Sequence, residues 1–177
     1  MTQLIMSGFE RTVQRYGNRD AVSYKKNGVW QKQSWTDYHA ESIKVGRGMA
    51  ALGLQPGQYV TILSQNCREW VLANMGAIAA GAVPAGIYPT SSNEQCAYIM
   101  GHCGATGAVV QNATQLAKVL AIRDRLPNLK FIVQIENQPT EAGVTSWTDL
   151  LKQAQSFPAD KIAARIRAAK PDDVATL

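Results

Sequence analysis

The amino-acid sequence predicts an α/β fold in which a sheet of mixed or mainly parallel strands is covered by helices on both faces. Three observations predict it. From Tyr59 onward, short β-branched or apolar runs alternate with capped helical stretches, the signature of a sheet held between helix layers. Between Asn66 and Gly81, the residues Trp70, Val71, Met75, Ala77, Ile78 and Ala79 leave only a thin polar face, so this helix belongs between layers. The 177 residues, 46% of them hydrophobic and 18% charged, are enough for one sizeable core in one domain.

The elements follow in order. Leu4, Phe9, Val13 and Tyr16 have helical spacing and predict a leading helix that stops at Gly17-Asn18. Residues 21–25 and 29–33 are strand-like runs around Asn27-Gly28, the dipeptide that favours a two-residue hairpin turn. Ser34-Trp-Thr-Asp37 reads as a helix cap, with Tyr38, Val45, Met49 and Leu52 along one stripe before Gly53. Pro56-Gly57 turns the chain into a strand at residues 59–63. Asn66, with Glu69 three residues on, is the expected cap of the buried helix, and Gly81 marks its stop.

Residues 82–85 form a short extended run whose Pro84 has no amide to give to a ladder, which assigns it to a sheet edge or an irregular position. Ser92 with Gln95 is a capping box, and Cys96, Ile99, Met100 and Cys103 mark one face of the helix that follows. A strand is expected at residues 108–111, then a helix opened by Asn112 with Gln115 and carrying Leu116, Val119, Leu120 and Leu126, then a strand at 129–135. Residues 136–143 are a surface loop by composition. Ser146-Trp-Thr-Asp149 repeats the earlier tetrapeptide, but the residues after each copy diverge, so the repeat signifies shared capping chemistry. A last helix over 159–169 stops before Pro171, and residues 172–177 read as the opening of another strand, which gives the chain a truncated look.

Charge and composition remove several function classes. The formal charge is +5 and the pI near 9.2, yet the basic residues are scattered without a block of five or six, which argues against nucleic acid. No apolar run approaches the roughly 20 residues of a bilayer span, and Glu10 and two arginines interrupt the N-terminal stretch where a signal peptide needs its apolar centre. A cytoplasmic, or at most membrane-peripheral, protein is expected. Cys96 and Cys103, seven apart on a helix, would be separated by about 10 Å of rise, beyond disulfide reach. With Cys67 they read as buried small hydrophobes; His102 has no partners for a metal site.

Other tempting residues have ordinary readings. His39 lies beside the Tyr38 stripe among polar neighbours and reads as a boundary histidine. The pairs Gly46-Arg-Gly48 and Gly101-His-Cys-Gly104 lack the strand-to-helix setting of a dinucleotide fingerprint. Trp30, Trp35, Trp70 and Trp147 are core or boundary anchors, too dispersed for a stacking platform.

Several motifs together resemble the adenylate-forming enzymes, and within them the AMP-forming long-chain fatty-acyl-CoA synthetases. They are Trp35-Thr-Asp37, Gly57-Gln-Tyr-Val60, Asn66-Cys-Arg-Glu-Trp70, Gly81-Ala-Val-Pro84, Ile87-Tyr-Pro-Thr-Ser-Ser92 with Glu94-Gln95, Leu126-Pro-Asn-Leu-Lys130, Ser146-Trp-Thr-Asp-Leu150 and Lys170-Pro-Asp-Asp-Val-Ala-Thr-Leu177. The run from Ile87 to Ser92 points to long-chain acyl substrates. The resemblance implies that residues 1–177 are the incomplete N-terminal part of a large adenylating domain, cut before the Ser/Thr/Gly-rich phosphate loop that follows the strand begun at Val174. It implies ATP, Mg²⁺ and coenzyme A as cofactors of the full-length enzyme, and a fatty acid as its substrate.

The fragment alone is expected to be inactive and to bind none of those cofactors tightly. Its partners would be the remainder of its own chain and, through the surface left uncovered, further copies of itself. No catalytic, cofactor-binding or metal-binding residue is assigned within it. The resemblance puts part of a coenzyme A tunnel near loops of this region, which makes Lys118 and the turn from Tyr88 to Ser91 candidates to line it; an ordinary turn and a solvated helical lysine are the favoured reading. Two other functions share these features: a self-contained α/β interaction or binding module, and another acid-activating enzyme on the same scaffold.

Overall fold

The computed structural model describes residues 4–177; the first three residues of the N-terminal stretch read as lacking a signal peptide lie outside them. Helix α1 (Ile5–Tyr16) leads into the hairpin β1 (Asp20–Lys26) and β2 (Val29–Ser34). At its turn Asn27 and Gly28 have φ of 52° and 79°, the two positive angles that a tight hairpin matching the strand twist requires. Then come α2 (Trp35–Ala51), β3 (Tyr59–Leu63), α3 (Arg68–Ala79), β4 (Val83–Ile87), α4 (Asn93–His102), β5 (Gly107–Val110), α5 (Ala113–Leu120), β6 (Phe131–Gln134), β7 (Val144–Ser146), α6 (Trp147–Gln153) and α7 (Ala159–Ala168).

Strands β3 to β7 form one sheet in the order β4-β3-β5-β6-β7, and every pairing in it is parallel. Among the described residues, antiparallel pairing is confined to the β1–β2 ribbon. Alternate residues feed two cores. Val60, Ile62, Val109, Phe131 and Val133 point to a layer containing α2, α3, α6 and α7, whereas Leu63, Ile87, Ala108, Val110 and Ile132 point to α4 and α5. The sheet is therefore covered on both faces, as the strand-helix alternation predicts.

No residue of α3 is fully exposed, in keeping with its thin polar face. It lies against α2 so closely that a Cβ on Gly46 would stand 2.5 Å from the Gly76 carbonyl oxygen, and one on Gly76 would stand 2.7 Å from Val45 Cγ1. Glycine at both positions is what permits the contact. Arg165 of α7 ties this layer together by donating to the carbonyls of Leu54 (2.9 Å) and Ala80 (3.3 Å).

Most caps are where the sequence puts them. Ser34, Asn112 and Ser146 accept from the amides of Asp37, Gln115 and Asp149, and Ser92 with Gln95 makes both bonds of a capping box. Pro84 lies in the edge strand β4, as its missing amide requires.

Five expectations are corrected. Cys67, with extended backbone, is the cap residue of α3 and gives no side-chain bond, so Asn66 lies one residue too early and is exposed. Helix α5 ends at Leu120; Leu126 follows a separate short turn at Arg123–Arg125, although it is buried. Strand β7, inside a region read as loop and cap, pairs with β6. Residues 172–177 form no strand. Their contact with the sheet is a bond from the Leu177 amide to the Pro84 carbonyl (3.1 Å), joined by Thr176 Oγ1 on the same oxygen, too little for a ladder. Trp30 is no anchor, being 63% exposed; Trp147 is buried, and Trp35 and Trp70 are half-buried.

Candidate functional site at the carboxyl ends of the strands

In parallel α/β sheets the loops after the strands converge at one end, and ligands collect where successive crossovers leave in opposite directions. Here that point lies between β3 and β5, because the chain leaves β3 for β4 on one side and β5 for β6 on the other. Polar residues cluster at and just after these strand ends, and they find one another. Gln111 Oε1 accepts from the Gln65 amide (3.0 Å), and Gln111 Nε2 donates to Glu136 Oε1 (2.7 Å). Asn112 Nδ2 reaches Glu136 Oε2 (3.5 Å), and Gln134 Nε2 donates to the Glu136 carbonyl (2.7 Å). A network of amides around one carboxylate thus joins the loops after β3, β5 and β6.

Beside it, Ser64, Asn66, Trp70, Gly86, Ile87 and Tyr88 line a cleft of about 230 Å³ at the ends of β3 and β4 and the start of α3. Tyr88, at its rim, is 82% exposed. The turn that follows is held from the side: Lys118 Nζ, on α5, donates to the carbonyl oxygens of Pro89 (2.7 Å) and Ser91 (2.8 Å). Lys118 is thus neither a freely solvated lysine nor an open cation, because its ammonium bridges the two ends of the turn. Arg125 adds a bidentate pair with Glu94 in the first turn of α4 (2.9 and 3.0 Å).

The chemistry these residues offer is binding and shaping. Burial pushes the Cys67 thiol above its ordinary range, with the Ser64 hydroxyl at 3.6 Å acting against that, so Cys67 is no activated nucleophile. His39 lies elsewhere, between α1 and α2, with its ring 5.0 Å from that of Phe9. Burial pulls its pKa down against the opposing charge of Glu10, and among the described residues its Nε2 has no hydrogen-bond partner. His102 stacks on Tyr98 at 5.7 Å. Among the described residues no three His, Cys, Asp or Glu side chains are grouped to hold a metal ion, and the cysteines are free.

Sequence reading weighs the Tyr88 turn and Lys118 as lining of a passage but favours an ordinary turn and a solvated lysine. It misses the amide network and reads Trp70 as a core or boundary anchor. The available signal was positional: Ser64-Gln-Asn66, Gln111-Asn112 and Gln134 each end an apolar run, and in a parallel sheet such residues meet.

The model of the AMP-binding enzymes matches residues 9–177. The chain belongs to the AMP-binding enzyme family. It is 34% identical over 171 residues to the long-chain-fatty-acid–CoA ligase ACSBG2 of Xenopus laevis, which covers 96% of this chain and 23% of that protein. The long-chain-fatty-acid–CoA ligase ACSBG1 of Bos taurus is also 34% identical, with 96% and 24% covered. The chain therefore spans about a quarter of the length of these relatives.

Among solved structures, the anthranilate CoA ligase AuaEII in complex with anthranoyl-AMP superposes with a TM-score of 0.72 at 24% identity, over 85% of this chain and 27% of that one. A putative long-chain-fatty-acid CoA ligase from Rhodopseudomonas palustris CGA009 gives 0.73 at 20% identity, over 84% and 36%. These two likenesses establish the fold of this AMP-binding chain. Among the described residues no helix is long and apolar enough to cross a membrane.

Proposed function

We propose that these 177 residues are the N-terminal portion of an acyl-CoA ligase's adenylating domain, preceding its phosphate-binding loop, and that the whole enzyme activates a long-chain fatty acid. The observation that carries this reading is the Ile87–Ser92 run at the rim of the cleft, in a chain whose curated relatives are named long-chain-fatty-acid–CoA ligases. In the reaction a carboxylate oxygen attacks the α-phosphorus of ATP and pyrophosphate leaves. The coenzyme A thiol then attacks the acyl carbon, and AMP leaves. Mg²⁺, when bound, neutralises phosphate charge as it redistributes.

The described residues contain neither a grouped set of metal donors nor a Gly-rich phosphate cradle, so neither ATP nor Mg²⁺ is assigned a ligand in this chain. What the chain supplies is a wall. Tyr88 offers an exposed ring at the rim, and Lys118 holds the 88–91 turn in place for the coenzyme A passage, acting as a positioning residue.

Fatty-acid-dependent ATP–pyrophosphate exchange tests the division of labour. The 177 residues alone should show none, and the same residues joined to the remainder of the relatives' length should show exchange with long-chain acids; turnover by the isolated chain would overturn it. In that longer enzyme, Lys118→Ala should raise KM for coenzyme A several-fold while leaving exchange, which precedes thiol attack, unchanged. An equal loss in both half-reactions would remove the turn from the coenzyme A passage.

A further inference from the structure

The β1–β2 ribbon ends in the adjacent pair Val29 and Trp30, 60% and 63% exposed. The register shows how they are presented. Lys25 lies opposite Trp30 and Ser23 opposite Lys32, so these four residues share one face of the ribbon, and all four are exposed. The other face carries Val22, Tyr24 and Gln33 toward the body of the protein. There the Arg68 guanidinium lies 5.4 Å from the Tyr24 ring centroid, donates to Gln33 Oε1 (3.1 Å) and pairs with Glu41.

The outward face therefore consists of a tryptophan between lysines. Lys25 Nζ is 5.3 Å from the Trp30 ring centroid, and Lys32 reaches back to Asp20 at the ribbon's base; Lys26 and Val29, paired across the turn, fall on the opposite face and are exposed at the tip. Residues 21–36 contain three lysines and no carboxylate.

We infer that the tip of the β1–β2 ribbon is a docking surface for an anionic phospholipid bilayer met end-on, with Trp30 and Lys25 on one face of the tip and Val29 and Lys26 on the other, the indole entering the headgroup layer and the lysines meeting lipid phosphates and carboxylates. An indole is suited to that layer because its apolar rings and its N–H are accommodated together. The lysines supply the attraction that selects an anionic surface, each worth about fivefold in partitioning near such a membrane. The tight Asn27-Gly28 turn holds the pair at the extremity of a ribbon whose inner face is pinned to the protein, so little ordering is left for binding. The inference concerns the ribbon alone and does not depend on the reaction proposed above.

Co-sedimentation of the 177-residue chain with vesicles is the direct test. Binding is expected to vesicles of equal parts phosphatidylcholine and phosphatidylserine, to be weak with phosphatidylcholine alone, and to fall as salt rises. Trp30→Ser should weaken it by about tenfold, from the apolar area no longer withdrawn. Lys25→Glu with Lys26→Glu should weaken it by well over tenfold. Both changes fall on exposed positions, and unchanged thermal midpoints for the two variants confirm that the fold is intact. Absence of vesicle binding, or binding that neither variant alters, overturns the inference. So does a wild-type dimer that Trp30→Ser dissociates without changing lipid binding, since the tip would then be a contact between copies of the chain.

Discussion

The tetrapeptide Ser-Trp-Thr-Asp occurs twice, at 34–37 and 146–149, and the two copies make the same local bonds in different surroundings. In each, the serine hydroxyl accepts from the aspartate amide, at 3.1 Å in the first and 3.0 Å in the second, and bonds the same aspartate's Oδ2. Beyond that they differ. Trp147 is 8% exposed and belongs to the main core with Leu150, Val133 and Phe131. Trp35 is half-buried in a side cluster beneath α1, edge-on to Phe9 at 6.0 Å and tilted to Tyr38 at 6.3 Å. Identical sequence therefore specifies the start of a helix, whereas the elements packed on it decide what its tryptophan is worth.

The tryptophans give the largest expected contrast. Trp147→Ala should cost about 3–5 kcal/mol, as for large-to-small changes in a closed core, and Trp35→Ala about 1–2 kcal/mol, because its site is partly open. Denaturant unfolding would measure both, and equal losses would break the comparison. The caps come next. Ser146→Ala and Ser34→Ala should each cost about 1 kcal/mol, with the Ser146 change the larger because its bonds are partly buried and those of Ser34 are exposed.

The smallest contrast is in pH dependence. Near the first copy, His39 has its pKa lowered in the folded state by burial, so the unfolded chain takes the proton first. Stability should fall as pH drops through the ordinary histidine value of about 6.5, and His39→Gln should flatten that slope. Near the second copy, Lys152 chiefly, with the Ser146 hydroxyl, holds the Asp149 carboxyl below its usual range. Its contribution is present above the unfolded aspartate value and is lost as pH falls through the lower folded one, a small effect that Asp149→Asn should remove.

What was legible in the sequence was local. The caps at Ser34, Ser92, Asn112 and Ser146 depend on a side chain meeting an amide three residues on, and the hairpin on two residues with positive φ. Pro84 announced its edge position through the amide it lacks. Asn66 misled because the loop after β3 is drawn toward Gln111, a partner 46 residues away, and α3 starts one residue later than the motif suggests. The amide network was invisible for the same reason: its members come from three loops that sheet order alone brings together. Lys118 reads as a solvated helical lysine because its two carbonyl partners lie 27 and 29 residues earlier and cannot be read from its own helix. Three-residue β7 is too short to carry an alternation, and Trp30 looked like its three counterparts because a tryptophan does not encode whether anything will cover it.

The contact between Gly46 and Gly76 has a mechanical consequence. Where two helices meet through long side chains, rotamers can absorb a small displacement; where backbone meets backbone there is no such cushion. Helix α3 presents Trp70 to the cleft at one end and lies against α2 at its middle. Anything filling that cleft would press on Trp70 at the end of a helix that α2 meets backbone to backbone, with no side chain between them to yield.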